Sequence, residues 1–114
     1  MMDIEETIIT WLNSHLIIDA YADVPNPRPD SFITVERVGG GIDSVIISRP
    51  RVAIQCWSTS RAAAASLAYE VAEELKEMVC ETDISKVEIN SLYNFPDETG
   101  NNARYQLVVN LTTI

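Results

Sequence analysis

The sequence predicts an α+β domain: a mainly antiparallel or mixed sheet with two helices packed on one of its faces. Three observations lead there. Apolar residues recur at helical spacing in two separated segments, one near the start and one past the middle. Most of the other apolar segments alternate inward and outward residues with the two-residue period of a half-buried strand. Clusters of Pro, Gly, Asn and Asp punctuate them. The predicted order is α-β-β-β-α-β-β, and at 114 residues the chain is one domain, 1–114.

The first helix is expected over residues 3–15. Asp3 stands at the capping position with Glu6 three residues on, a capping-box arrangement, and Ile4, Ile8, Trp11 or Leu12, and His15 follow at helical spacing. The acids Asp3, Glu5 and Glu6 sit at the positive end of the helix dipole. "IIDAYA" then reads as a short strand, and "DVPNPRPDS" as an extended loop, because proline lacks an amide donor and restricts the residue before it. "SFITVERV" is a β-branched strand. Gly39, Gly40 and Gly41 read as a mobile joint before a second extended run at 43–57. Pro50 inside that run predicts a break, a bulge or an edge. Beyond it Val52, Ile54 and Cys56 alternate with Ala53, Gln55 and Trp57, which fits a strand with one well-buried face.

The second helix is the strongest pattern in the chain, over residues 59–81. Thr59 or Ser60 caps it, and Ala64, Leu67, Ala68, Val71, Leu75 and Met78 form one apolar face. Its early alanines let it lie close to a sheet. The glutamates 70, 73, 74, 77 and 81 fall mostly on the other side, the pattern of a solvated face. Two strands close the chain. In the first, Val87, Ile89, Ser91, Tyr93 and Phe95 are expected on one face. In the second, Tyr105, Leu107, Val109 and Leu111 alternate with Arg104, Gln106, Val108 and Asn110. "PDETGNN" between them is a turn longer than a two-residue hairpin.

Composition narrows the function classes. Hydrophobic residues make up 46% and charged residues 22%, a globular balance, enough to bury roughly 65% of the unfolded surface. The first residues lack the basic segment of a signal or transit peptide, and no run of 18 apolar residues predicts a membrane span. Cys56 and Cys80 match no zinc spacing or disulfide framework and read as small buried hydrophobes. The formal charge of −9, with eight Lys and Arg against 17 acids, argues against direct nucleic-acid binding, which draws affinity from neutralised phosphates. The charge is uneven: Arg37, Arg49 and Arg51 cluster against Asp43 alone, whereas residues 1–24 hold five acids and no Lys or Arg. An acidic body with a local arginine cluster suits self-association through complementary patches.

Catalytic signals are weak. His15, at a helix C-terminus where a cation is favoured, reads as a cap or core residue and has no motif partner. Cys56 lies mid-strand, away from the electropositive setting that activates a thiol. "VGGGIDS" lacks the GK[ST] ending and the strand-to-helix context of a phosphate loop. The reading is therefore of no catalytic residue, no cofactor and no metal.

Three stretches taken together, "FITVERVGGG", "RVAIQCWSTSRAAAASLAYEVAEEL" and "INSLYNFPDETGNNARYQLVVNL", resemble the small tail terminator (tail-completion) proteins of long-tailed bacteriophages and prophages. The similarity covers residues 1–111. It implies a structural virion protein at the head-proximal end of the tail, assembled in the bacterial host cytoplasm. Its partners would be five further copies in a hexameric ring, the tail tube protein and the head–tail connector protein, with no membrane and no sequence-specific nucleic acid. DNA would pass through the lumen, and if acids of the six copies, at −9 each, line it, like charge would keep the duplex from sticking. Such rings need heterologous interfaces that close. The interface candidates are Arg37, Gly39, Gly40, Gly41, Arg49, Arg51, Tyr93 and Tyr105, with flexible loops expected at 25–30 and 39–48. A head-side adaptor or stopper at the same joint remains an alternative. So does a small-ligand-binding α+β regulatory module, which would need a concave pocket with convergent polar groups.

Overall fold

A computed structural model describes residues 3–42, 48–80, 83–98, 100 and 102–113, and the side chains of all these but Gly41, Ile42 and Cys80. The order is α1 (Ile4–His15), β1 (Ala20–Tyr21), β2 (Phe32–Ile42), β3 (Ser48–Ser58), α2 (Arg61–Lys76), a 3-10 turn (Glu77–Cys80), β4 (Ile84–Asn94) and β5 (Ala103–Thr113). The α-β-β-β-α-β-β order and the α+β class are those the sequence predicts. The strands form one sheet in the order β1-β2-β3-β5-β4. β1 runs parallel to β2, and the other neighbours are antiparallel.

Each helix starts where its capping chemistry dictates. The Asp3 carboxylate accepts from the Glu6 amide at 3.3 Å, and the Ser60 hydroxyl accepts from the Ala63 amide at 3.1 Å, each satisfying an amide the first turn leaves open. α1 turns Ile4, Ile8 and Leu12 inward, and α2 turns Ala64, Leu67, Ala68, Val71, Ala72 and Leu75 inward. Both pack on the sheet face formed by Ile33 and Val35 of β2, Val52, Ile54 and Cys56 of β3, and Leu107, Val109 and Leu111 of β5. The indole of Trp11 donates to the Glu74 carbonyl at 3.0 Å, which locks α1 to α2. The Asn13 side chain bonds both backbone groups of Ala20, donating to its carbonyl at 3.2 Å and accepting from its amide at 2.7 Å, and so stands in for a missing strand beside β1.

Several expectations change. The strand read in "IIDAYA" shortens to Ala20 and Tyr21. Gly39, Gly40 and Gly41 are not a joint: they are paired residues of β2, opposite Arg51, Pro50 and Arg49. The tip of that hairpin, 43–47, lies outside the described residues, as does Glu81 at the expected end of the second helix. Pro50 stays within β3, and the irregularity it demands is taken up around it. The ladder to β5 lapses at Arg49 and Pro50, and Val38 is an unpaired extra residue in β2. In β4 the register slips at Ser85 and again at Asn90. The second slip flips the strand, because a one-residue insertion moves every later side chain to the other face. Val87, Ile89 and Leu92 therefore face the helices. Ser91 and Tyr93, opposite Val108 and Gln106, point away from them, and Phe95 lines a groove on that same side.

Gly40 is the position where backbone conformation decides the residue. Its φ is +96°, and a Cβ there would stand 2.1 Å from the Arg49 carbonyl oxygen and 2.7 Å from the Arg51 amide nitrogen. Gly39 has no atom within 4 Å of the same position. Gly40→Ala is expected to lower unfolding stability by about 2 kcal/mol or more, and Gly39→Ala to change it by under about 1 kcal/mol. Chemical denaturation of the two variants checks this; equal losses would contradict it.

Candidate functional site

Two helices leave the second face of the sheet uncovered, and its side chains divide into three zones along β3 and β5. At the end near Trp57, an aromatic cluster is roofed by arginines. Phe32 and Trp57 stack at 5.0 Å with a 15° tilt. The Arg28 and Arg104 guanidiniums lie 5.3 and 4.8 Å from the Trp57 ring, and Arg104 also lies 4.4 Å from the Phe95 ring. Arg104 donates to the carbonyls of Phe95 at 2.7 Å and Pro96 at 3.2 Å. Arg28 pairs with Asp97 at 3.0 Å, where the carboxylate side chain is only 6% exposed. The 25–30 loop, expected to be flexible, is thus tied by Arg28 to the β4–β5 connection.

In the middle, a chain of polar side chains crosses four strands. The Trp57 indole donates to the Thr34 hydroxyl at 3.3 Å, Thr34 donates to Gln55 at 3.4 Å, Gln55 donates to Gln106 at 2.9 Å, and Gln106 donates to the Tyr93 hydroxyl. Beside it runs a groove of about 510 Å³ with Val24, Val38, Ala53, Phe95 and Val108 among its lining. Val24, Val38, Tyr93 and Phe95 are all exposed.

At the hairpin end lies a wider groove of about 870 Å³, lined by Gly40, Arg49, Arg51, Ser85, Lys86, Glu88, Asn110, Leu111 and Thr112. Arg51, Asn110 and Glu88 sit side by side across β3, β5 and β4. Arg51 Nε donates to Asn110 Oδ1 at 3.0 Å, which orients the guanidinium, and Lys86 pairs loosely with Glu88 at 3.5 Å.

The predicted interface residues distribute unevenly over this molecule. Arg49 and Arg51 share the charged groove with Gly40, and Gly39 and Gly41 flank it in β2. Arg37 is separated from them. It pairs with Val52, whose side chain faces the helices, so Arg37 projects from the helix side; its amide donates to Glu5 at 2.7 Å and its Nε to Gly39 at 3.2 Å. Tyr93 and Tyr105 lie on opposite faces, Tyr93 on the open side and Tyr105 against the core. Sequence reasoning missed Lys86 and the Arg28–Trp57–Arg104 cluster. Their partners are far apart in the chain, and only the alternation that placed Trp57 and Arg104 on outward faces hinted at them.

His15 is exposed rather than buried. Its ring stacks on Trp11 at 3.9 Å, and its Nδ1 lies 2.8 Å from the Trp11 carbonyl oxygen in the last turn of α1. Cys56 is fully buried in the core, and burial pushes its thiol pKa well up. Among the described residues no three His, Cys, Asp or Glu side chains converge as metal ligands, and no helix is long and apolar enough to cross a membrane. No protein-family model matches the chain, and no curated protein matches it.

Two measurements test this description. Arg104→Ala removes two ring contacts and two backbone hydrogen bonds, and is expected to destabilise by about 1–3 kcal/mol in urea unfolding. Arg104→Lys should restore little of it, because an ammonium lacks the planar fork. Cys56 is held protonated in the folded state, so its contribution is intact below the unfolded thiol pKa of about 8.5 and declines as pH rises through that value. In a Cys80→Ser background, maleimide should label Cys56 in urea and not in native buffer; rapid native labelling would contradict its burial.

Proposed function

We propose that this chain is a ring-forming structural protein of a long-tailed bacteriophage, a tail terminator that caps the tail tube, halts its polymerisation and presents a surface to the head connector. It works by assembly rather than by making or breaking covalent bonds. The observation that carries the reading is the open sheet face. Val24, Val38, Tyr93 and Phe95 are exposed there beside a charged groove. An extended apolar patch bordered by charge is the usual mark of a protein contact. The element order and the two-layer architecture also agree with the resemblance in "FITVERVGGG", "RVAIQCWSTSRAAAASLAYEVAEEL" and "INSLYNFPDETGNNARYQLVVNL".

The test is mass and shape in solution, with the protein alone at rising concentration and with tail-tube polymer added. The expected species has a mass near six times 12.7 kDa and appears as annuli in negative stain. In the phage, loss of the protein should give overlong tails. Finished tails of normal length that fail to join heads would instead assign it to the head side of the joint. A protein that stays monomeric beside tube ends would remove the proposal.

A further inference from the structure

The cations of the hairpin-end groove have a counterpart on the other side of the molecule. Along α2 and its C-cap, Glu70, Glu73 and Glu77 are spaced three, four and seven residues apart; the cap keeps a helical backbone (φ −75°, ψ −17°), so they share one face, and all three are exposed. Tyr69 stands beside this row with 63% of its surface in solvent. Lys76 is the one cation among them, and Glu73 holds it at 3.0 Å. The apolar side of α2 packs on the sheet, so the acidic row lies on the solvent side of the helix.

The groove residues belong to the opposite surface. Arg51 and Asn110 alternate with the inward Val52 and Val109, and Lys86 and Glu88 flank the inward-facing Val87. Three carboxylates and a lysine on one surface thus oppose three cations (Arg49, Arg51 and Lys86) and a glutamate on the other. The two surfaces belong to opposite layers of one sandwich. No side-chain motion brings them together within a single copy.

The geometry points to a head-to-tail contact in which the 69–77 face of α2 in one copy seats on the Arg49–Arg51–Lys86 groove of the next. The contact rests on the ring reading and identifies the two surfaces that would close it. Surfaces on opposite layers cannot both be satisfied in a two-fold dimer; each added copy leaves one helix face and one groove open until the chain closes. Residues 69 and 77 are about 12 Å apart along a helix; Lys86 lies two two-residue steps, about 14 Å, along the strands from Ala53 and two strands, about 10 Å, to the side, an offset the long Arg and Lys side chains can span. With Glu73 and Glu77 over Arg51 and Lys86, the Tyr69 ring reaches the apolar ground formed by the paired Ala53 and Val108. The charges are solvent-exposed, so the contact weakens as salt rises.

The experiment is a charge swap. One variant carries Glu73→Arg and Glu77→Arg; the other carries Arg51→Glu and Lys86→Glu. Each alone is expected to stay monomeric, because like charges then face each other at every contact. Mixed in equal amounts they should assemble, since the reversed helix of one meets the reversed groove of the other. The rings should hold even numbers, with equal counts of the two variants by native mass spectrometry. The milder pair Glu73→Gln and Glu77→Gln keeps the helix surface shape and is expected to raise the concentration for half-assembly about tenfold, which guards against a misfolded reversal variant. If either reversed variant assembles alone like the unaltered protein, this contact is overturned while the ring reading stands. Monomers in the mixture overturn the pairing, and a closed heterodimer overturns the head-to-tail geometry. An unaltered protein that stays monomeric at millimolar concentration and beside tube ends removes the ring reading and this contact together.

Discussion

Two helices cover one face of a five-stranded sheet and no more, and much of the molecule follows from that. β3 and β5 sit at the centre of the sheet, and their inward residues, Val52, Ile54, Cys56, Leu107, Val109 and Leu111, form the floor of the core. The alanines of α2 let its backbone approach that floor, and Trp11 joins the helices to one another through the Glu74 carbonyl. Each large apolar side chain removed from water contributes on the order of 1.5–3 kcal/mol, and most of them converge on this layer; Phe32, stacked on Trp57, is buried on the other face. The opposite face receives no such cover and must settle its exposed surface by other means.

It does so differently along its length. At one end Trp57 is buried under two guanidiniums, Arg28 from the 25–30 loop and Arg104 from β5. In the middle, the Thr34–Gln55–Gln106–Tyr93 chain satisfies polar groups across four strands. At the hairpin end, charge is left in an open groove. The gradient from closed to open along one face concentrates the solvent-accessible chemistry at the β2–β3 hairpin and its neighbours in β4 and β5.

The edges of the sheet are managed in the opposite sense. β4, an outer strand, carries slips at Ser85 and Asn90 and places Lys86 and Glu88 on its surface. Beyond the two residues of β1, the Arg37 amide on the other edge is taken by Glu5. Bulges, charges and occupied amides all discourage strand addition.

The local patterns carried the class, the element order, the capping residues and the inward faces of β3, β5 and α2, because each depends on spacing within one segment. Asp3, Leu67 and Val109 could be placed from their neighbours in the chain alone, and the cap of α2 was narrowed to Thr59 or Ser60. What local pattern could not supply was everything set by a partner strand. An extra residue at Asn90 flips Tyr93 and Phe95 to the open face, and nothing in "INSLYNF" marks it, because a bulge exists only relative to the strand it fails to match. Arg37 and Arg51 look like one cluster in the sequence but lie on opposite faces of a hairpin, since side chains alternate and Val38 shifts the register between them. Arg28 meets Asp97 across 69 positions, and Lys86 joins Arg49 and Arg51 only because β5 lies between their strands. Spacing along a chain determines which side of an element a residue occupies; the pairing of elements decides what stands beside it.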